Sequence, residues 1–229
     1  MRTGEQGRPP SGGRASARPD ITTQNRWTTR QNAAVLIRHR GYAPDIDPSA
    51  YVAPTATLVG QVRIGPRARI MYGAVLDAED AAIEIGESSI ICENVVLRGA
   101  VRIDDHVFVG PQSTLLGCQV GRCAYLATGV TVLQEATLGP GSVIAIGAAV
   151  HVRTTIPAEQ FVPPNYVAVR GEVYAPGDPA LPSAIKAAEF AKVAFGIDTE
   201  WEDRIQRYER MCELRSGQFA EHRNDEIIG

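Results

Sequence analysis

The side chains of this chain that could do nucleophilic or metal chemistry are few, and most stand alone. No two of its four cysteines form a Cys-x-x-Cys pair, and its four histidines make no His-rich ligand set. The exception is His106 with Cys123, which a six-residue repeat places on consecutive coils, because a thiolate–imidazole pair can act as a nucleophile. No third residue that could orient this imidazole is evident, and packing at a corner explains both residues more simply. The remaining members of the two sets are His39, His151, His222, Cys92, Cys118 and Cys212.

Composition and charge exclude several classes of protein. The net charge of −3 shows no excess of positive charge that would indicate nucleic-acid binding. No apolar run approaches the roughly 18 residues of a membrane span. Unpaired cysteines without a secretory signal indicate a reducing cytoplasm, and the preference for arginine over lysine is typical of a GC-rich bacterial genome. Residues 1–40 are rich in arginine, glycine and proline, which favours a flexible arm over a transit peptide.

Aliphatic residues recur every six positions from Val52 to Ile156. The phase shifts twice, by a nine-residue step after Leu76 and a five-residue step after Leu115. A period of six fits neither an α-helix nor a simple strand alternation, but it fits a coil of three short strands. The sequence therefore predicts an all-β domain over residues 41–175, a left-handed parallel β-helix of about six coils. The inward positions are Val52, Leu58, Ile64, Ile70, Leu76, Ile85, Ile91, Leu97, Ile103, Val109, Leu115, Val120, Leu126, Val132, Leu138, Ile144, Val150 and Ile156.

Residues 176–229 are predicted to form α-helices that pack on the β-helix. Ser183 can cap a helix that runs to Phe195 and stops at Gly196, and residues 199–202 form a capping box for a second helix. The second helix has an apolar stripe, which we expect to pack along the β-helix or against a neighbouring subunit. The stripe consists of Trp201, Ile205, Tyr208 and Met211 or Cys212.

Five segments within residues 44–170 are similar to a known family. They are residues 50–56 (Ala-Tyr-Val-Ala-Pro-Thr-Ala), 70–76 (Ile-Met-Tyr-Gly-Ala-Val-Leu), 94–97 (Asn-Val-Val-Leu), 105–110 (Asp-His-Val-Phe-Val-Gly) and 116–118 (Leu-Gly-Cys). On these segments the chain resembles the γ-class carbonic anhydrase-like family of hexapeptide-repeat proteins, which usually has tryptophan in place of Met71. The resemblance implies a homotrimer, and in the family three histidines bind zinc at the subunit interface.

The resemblance places those three histidines where this chain has Arg98, Pro111 and Leu116. None of these side chains can bind zinc, because a guanidinium is not deprotonated and the other two carry no ligand atom. The neighbourhood also differs, with Asp-Ala-Glu at residues 77–79 for the family's Arg-Gly-Asp and Cys-Glu at residues 92–93 for Gln-Asp. We therefore expect no cofactor, and no zinc-bound hydroxide at the family's position.

The repeat also places the substituted positions on adjacent coils. Residues three repeats apart stack, so Asp77, Arg98 and Leu116 are predicted to form one column. We predict that Arg98 fills the vacated zinc position and pairs with Asp77, with Glu93 as a second partner. The residues of the candidate interface pocket are Tyr72, Asp77, Glu79, Cys92, Glu93, Arg98, His106, Pro111, Gln112 and Leu116.

Three functions follow from these observations. The first is a metal-free homotrimer for binding, scaffolding or assembly, in which Arg98 only holds subunits together. The second is a zinc-independent transferase or hydrolase, in which the pocket takes an acyl-thioester or a small carboxylate and Arg98 clamps an anionic group. Acyltransferases of this fold generally use a histidine beside the interface, and His106 comes closest. An active zinc carbonic anhydrase ranks last. We expect no nucleic-acid or membrane partner.

Overall fold

Short strands separated by tight corners fill most of the described chain. The structure is a computed structural model that describes Met1, residues 34–198 and residues 203–229. Its first strand lies within the segment 1–40 that the sequence predicts as an arm, and residues 2–33 lie outside the described residues. The strands are β1 (Val35–Arg38), β2 (Asp45–Ile46), β3 (Tyr51–Val52), β4 (Thr57–Val59), β5 (Val62–Ile64), β6 (Arg69–Ile70), β7 (Val75–Asp77), β8 (Ile83–Ile85), β9 (Ile90–Ile91), β10 (Val96–Arg98), β11 (Val101–Ile103), β12 (Phe108–Val109), β13 (Thr114–Leu116), β14 (Gln119–Val120), β15 (Tyr125–Leu126), β16 (Thr131–Val132), β17 (Thr137–Leu138), β18 (Val143–Ile144), β19 (Ala149–Val150), β20 (Thr155–Ile156), β21 (Phe161–Val162), β22 (Val167–Val169), β23 (Glu172–Tyr174) and β24 (Glu226–Ile227).

Each strand of the coil pairs in parallel with the strand three later, as β4 does with β7 and β7 with β10. The chain therefore winds as a coil with three sides, and each side is one parallel sheet. The predicted parallel β-helix is confirmed. It has about seven coils rather than six, because two of its sheets contain seven strands each. In the third sheet, β24 adds to β1 and β23 to β22, both antiparallel.

The side chains that point into the coil are the aliphatic residues of the repeat. All the predicted inward positions are buried except Val52, which is half-buried and packs against the same core. Leu97, for example, lies between Leu76 and Leu115 of the neighbouring coils. Burial of one such side chain contributes about 1.5–3 kcal/mol, so this stack stabilises the fold.

Glycines after the inward positions allow close approach of the coils. A Cβ on Gly86 would lie 2.5 Å from the backbone carbon of Asp104, and one on Gly139 2.4 Å from the nitrogen of Ala158. These glycines do not have positive φ; many left-handed corners are instead taken by residues such as Asn94. These glycines therefore make room for the next coil and do not serve as positive-φ corners.

The three outer faces of the coil differ in chemistry. The sheet of β2, β5, β8, β11, β14, β17 and β20 presents charged and polar side chains, and we call it the polar sheet. The sheet of β3, β6, β9, β12, β15, β18 and β21 presents mostly aromatic and aliphatic ones, and we call it the aromatic sheet. The remaining sheet, which holds β1, β4, β7, β10, β13, β16, β19 and β22, is partly overlaid by the C-terminal helices, and we call it the covered sheet.

The C-terminal helices are α1 (Leu181–Ala187), α2 (Phe190–Phe195) and α3 (Arg204–Phe219), followed by a 3-10 turn over Ala220–Asn224. The predicted cap at Ser183 is wrong, because α1 begins after Ala180 without a side-chain cap. A left-handed Glu189 interrupts the predicted continuous helix, whereas the stop at Gly196 is confirmed. Residues 199–202 lie outside the described residues, and Asp203 caps α3 by accepting a bond from the Gln206 amide. No helix of the described parts is long and apolar enough to cross a membrane.

The predicted apolar stripe of the second helix packs on this chain only in part, through Met211 beside Phe190 of α2. Ile205 is 76% exposed and Tyr208 53% exposed, while Arg207 is buried. Arg215 and Phe219, further along α3, meet the charged residues of the covered sheet. The inner face of α3 is therefore partly polar, because an apolar stripe there would leave buried charges without partners. Trp201 of that stripe lies outside the described residues.

Candidate functional site

One outward-facing column of the covered sheet carries the residues of interest. The register pairs Asp77 with Arg98 and Arg98 with Leu116, as the sequence predicts. Over the next two coils the same column continues with Leu133 and His151. These residues directly follow Val132 and Val150, which are paired in the sheet. We call this set, Asp77, Arg98, Leu116, Leu133 and His151, the covered column.

Arg98 lies at one end of the covered column, between two carboxylates. Its Nε is 3.7 Å from Asp77 Oδ2 and 3.6 Å from Glu79 Oε1, and it makes no hydrogen bond. Asp77 is therefore a partner as predicted, but the second carboxylate is Glu79 rather than Glu93. Glu79 turns back towards Arg98 because it occupies a left-handed corner with φ 53°.

The C-terminal helix α3 closes this end of the column. Arg215 Nη2 donates to Glu79 Oε1 at 2.6 Å. The Phe219 ring lies under both cations, 5.3 Å from the Arg98 guanidinium carbon and 4.5 Å from that of Arg215. Two arginines, two carboxylates and one ring thus form a charged cluster made from one chain. The cation–π contacts add to the ion pairs, since an arginine over an aromatic face is attracted by its π electrons.

Several predicted pocket residues lie outside this cluster. Tyr72, Glu93 and Pro111 stack at the preceding corner, where Tyr72 is exposed and its hydroxyl is 3.3 Å from that of Tyr51. Gln112 is exposed at the same corner. Cys92 is buried, and burial raises the pKa of its thiol to about 11, so it is a poor nucleophile at neutral pH.

His106 and Cys123 stack on consecutive coils, as the repeat predicts, because the Cys123 amide donates to Asp105. Both are exposed at left-handed corners with φ near 58° and 59°. The corner joins the polar sheet to the aromatic sheet, so it lies away from the covered column. The structure therefore does not bring His106 together with Arg98.

The side chains of His39, His222 and Asp225 meet at the first coil. His39 Nδ1 is 2.6 Å from Asp225 Oδ1, and His222 Nδ1 is 2.8 Å from Asp225 Oδ2. Two of the histidines thus lie side by side around one carboxylate, an arrangement that the sequence did not indicate. Burial raises the pKa of Asp225, but the bonds from both histidines outweigh it, so the net pKa is lowered. No spacing signals such a cluster, because His39 and Asp225 are 186 residues apart.

His151 lies at the other end of the covered column, beside a cavity of about 370 Å³. The sequence did not point to His151, although extending the column of Asp77, Arg98 and Leu116 by two coils leads directly to it. It is only 8% exposed, its Nδ1 has no hydrogen-bond partner, and burial lowers its pKa. The imidazole is therefore neutral at physiological pH. Apolar side chains line the cavity together with charged ones of both signs; among them are Ile185, Phe190, Phe195, Met211, the cationic Lys186 and Arg207 and the acidic Glu189 and Asp198.

Sequence comparison finds carbonic anhydrases of the γ class. The chain is 32% identical over 139 residues to γ carbonic anhydrase 1, mitochondrial, of Arabidopsis thaliana, covering 54% of this chain and 50% of that protein. It is 30% identical over 111 residues to a carbonic anhydrase of Geobacillus kaustophilus, covering 47% of this chain and 61% of that protein. The β-helix is homologous to γ-class carbonic anhydrases.

The match covers part of each γ-class relative, and the chain spans about half the length of the first of them. Among solved structures, a hexapeptide transferase family protein from Anaplasma phagocytophilum superposes with a TM-score of 0.55. The superposition covers 80% of this chain and 97% of that one at 23% identity, which shows a shared fold. No protein-family model matches the chain.

The residues to which the resemblance assigns the family's zinc ligands, Arg98, Pro111 and Leu116, do not suit a zinc ion. Arg98 is positively charged and engaged with Asp77 and Glu79, and a guanidinium offers no lone pair to a metal. Pro111 and Leu116 have no donor atom in their side chains.

Proposed function

We propose that the chain forms a γ-carbonic anhydrase-like homotrimer that has lost the family's interface zinc site and serves as a binding or scaffold protein. The charged cluster around Arg98 carries this proposal. Arg98 is a cation held by two carboxylates, and it occupies a position to which the resemblance to the family assigns a zinc ligand. Its neighbours Arg215 and Phe219 come from the same chain, so the cluster is an internal part of each subunit.

The aromatic sheet supports the trimer. Side chains on its outer face form an apolar ladder, interrupted at Arg69, in which Phe108 stacks on Tyr125 with ring centroids 5.1 Å apart. No described helix of this chain is found packed on that ladder, and monomeric proteins seldom expose a large contiguous apolar patch. On the polar sheet the equivalent positions are charged or polar and exposed. The ladder residues are Tyr51, Ile90, Phe108, Tyr125, Val143 and Phe161.

Substitutions on two faces of one coil test the trimer. Tyr125→Glu introduces a charge into the aromatic ladder, and we expect light scattering after gel filtration to show dissociation of the trimer. Gln119→Glu puts the same charge on the exposed polar sheet of the same coil, and it leaves the trimer intact. A monomeric wild-type protein, or equal effects of the two variants, would contradict the proposed interface.

Carbonic anhydrase assays test the loss of the family's zinc chemistry. With one equivalent of zinc added, the trimer is expected to hydrate CO2 no faster than buffer does. Catalysis at a rate typical of enzymes, about 1–1000 per second, would contradict the proposal.

A second candidate function is the binding or conversion of a small carboxylate or acyl-thioester without zinc, and the cavity beside His151 favours it. A neutral imidazole with a free Nδ1 can donate or accept a hydrogen bond or a proton. Apolar side chains around it suit an acyl or aromatic group, and about 370 Å³ lies within the range of small-molecule sites. His151 thus replaces His106 as the histidine of interest.

Ligand screening by thermal shift tests this candidate. Coenzyme A thioesters and small aromatic or branched carboxylates are expected to raise the Tm, because a ligand of the native state stabilises it by mass action. The shift disappears in His151→Phe, which fills part of the cavity, and persists in His106→Phe. A screen in which no compound raises the Tm, or in which both variants respond alike, argues against the cavity.

We propose a cytoplasmic location for the protein. All four cysteines are free, and Cys118 is fully buried with its pKa raised to about 12 by burial. Unpaired cysteines are typical of a reducing compartment. Cell fractionation of the native host, with detection of the endogenous chain, tests this placement.

A further inference from the structure

The first coil carries two imidazoles and a carboxylate that share one small space. His39 follows β1, and His222 and Asp225 belong to the 3-10 turn and the residue that ends it. The two rings stack with centroids 4.5 Å apart, and one donor atom of each residue lies within 4.8 Å of the other two. Among residues 34–198 and 203–229 this is the one such group of three.

We propose that His39, His222 and Asp225 bind one divalent transition-metal ion of the zinc class. Imidazole nitrogen and carboxylate oxygen are the ligands that Zn²⁺ takes at about 2.0–2.2 Å. Two imidazoles disfavour Mg²⁺ and Ca²⁺, which prefer oxygen ligands. The site goes beyond the proposed function, which concerns the family's ligand positions at Arg98, Pro111 and Leu116.

Only a small rearrangement separates the present geometry from a metal site. The Nδ1 atoms of His39 and His222 lie at hydrogen-bond distance from Asp225, at 2.6 and 2.8 Å. Donor atoms around a tetrahedral zinc are about 3.3 Å apart, so the carboxylate must move by roughly half an ångström. Asp225 can do so because it stands at the end of a turn, half-buried, and not within a sheet.

A buried carboxylate supports the orientation of His222. With Nδ1 directed at the ion, its Nε2 faces Asp77 Oδ2 at 3.8 Å. Metal-bound histidines commonly direct their second nitrogen at a carboxylate, which fixes the ring and strengthens the ligand. Asp77 would serve both Arg98 and His222, which couples the charged cluster to the metal.

The space beside the histidines fits one further ligand. A cavity of about 20 Å³ is lined by His39, His222, Glu79 and Phe219, which is room for about one water molecule. Three protein ligands and one water complete a tetrahedral zinc. The cavity is too small for a substrate as well, so the expected role of the ion is structural. It would fasten the C-terminal segment to the first coil, where β24 already pairs with β1.

Zinc titration of the full-length protein tests the site. The protein is freed of metal with a chelator and titrated with ZnCl₂ by calorimetry, with elemental analysis after desalting. We expect one zinc per chain and a higher Tm, whereas MgCl₂ at the same concentration gives neither. Co²⁺ in place of zinc is expected to give the visible absorption of a four-coordinate ion.

His222→Gln separates metal binding from a hydrogen-bonded contact. Its amide can still donate to Asp225 but is a poor zinc ligand. We expect zinc affinity to fall at least about 10-fold, while the Tm without zinc changes by no more than about 2 °C. His106→Gln and the double variant Cys123→Ser/Cys212→Ser keep full affinity, because these exposed side chains lie outside the cluster.

Two results would overturn the site. One is a wild-type protein that retains no zinc, which leaves a hydrogen-bonded contact between the termini. The other is zinc bound equally well by His222→Gln. Neither result touches the proposed function, which fails separately if zinc binding depends on Arg98, Pro111 or Leu116, or if the aromatic ladder is not an interface.

Discussion

The two ends of the covered column have the same backbone but opposite surroundings. At one end Arg98 is held by Asp77 and Glu79 and closed over by Phe219. At the other end His151 has a free Nδ1 beside a cavity of about 370 Å³. The same sheet with the same stacking of coils therefore supports a filled cluster and an open pocket a few coils apart.

The difference comes from what the C-terminal helices place over each end. Late in α3, Arg215 supplies a charge that matches the carboxylates below it. In the middle of α3, Met211 lies with Phe190 of α2 around the imidazole, and these side chains leave space. The β-helix thus fixes the column, and the helices decide which end can receive a ligand.

The largest expected effect is at the filled end. Arg98→Ala leaves the buried Asp77 carboxylate with less compensating charge, so we expect a loss of about 2 kcal/mol in the free energy of unfolding. The matched control is Arg102→Ala on the polar sheet, whose partners are exposed, with a loss of at most about 0.5 kcal/mol. Urea denaturation at equal protein concentration measures both. Equal losses would show that Arg98 is an ordinary surface residue.

The next effect concerns the closure by α3. Phe219→Ala removes the ring under Arg98 and Arg215, with an expected loss of about 1 kcal/mol. Ile205→Ala on the outer face of the same helix serves as the control and is expected to change stability by less than about 0.5 kcal/mol in a monomeric variant. A larger loss for Ile205→Ala would mean that the outer stripe packs and the inner face does not.

The smallest effect is a pH dependence at the open end. The folded-state pKa of His151 is lowered by burial from an ordinary value of 6.5, so the unfolded chain takes up a proton first as the pH falls. His151 therefore favours folding fully above about pH 6.5, and this contribution is lost as the pH falls through the folded pKa. His151→Gln is expected to flatten stability against pH below 6.5, measured by thermal denaturation. An unchanged profile would mean that His151 is solvated.

The sequence was sufficient for the β-helix and for the stacking of Asp77 on Arg98, because a strict repeat converts spacing directly into position. It was less informative for the helices. The apolar stripe of Ile205 and Tyr208 was expected to pack along the β-helix or against a neighbouring subunit, and spacing alone could not show that the sheet beneath α3 presents charged residues. His39 and Asp225 could not be paired at all, because a contact across 186 residues leaves no local pattern. His151 was missed although the same column reaches it.

Anomalous diffraction at the zinc absorption edge, on crystals grown with zinc, shows directly whether the family's zinc site has been lost. We predict no anomalous peak within reach of Arg98, Pro111 and Leu116, and the guanidinium of Arg98 in density beside Asp77 and Glu79. A peak among His39, His222 and Asp225 agrees with this result, since it lies outside the positions that the resemblance assigns to the family's ligands. A zinc peak between subunits beside Arg98 would contradict the proposed loss of that site.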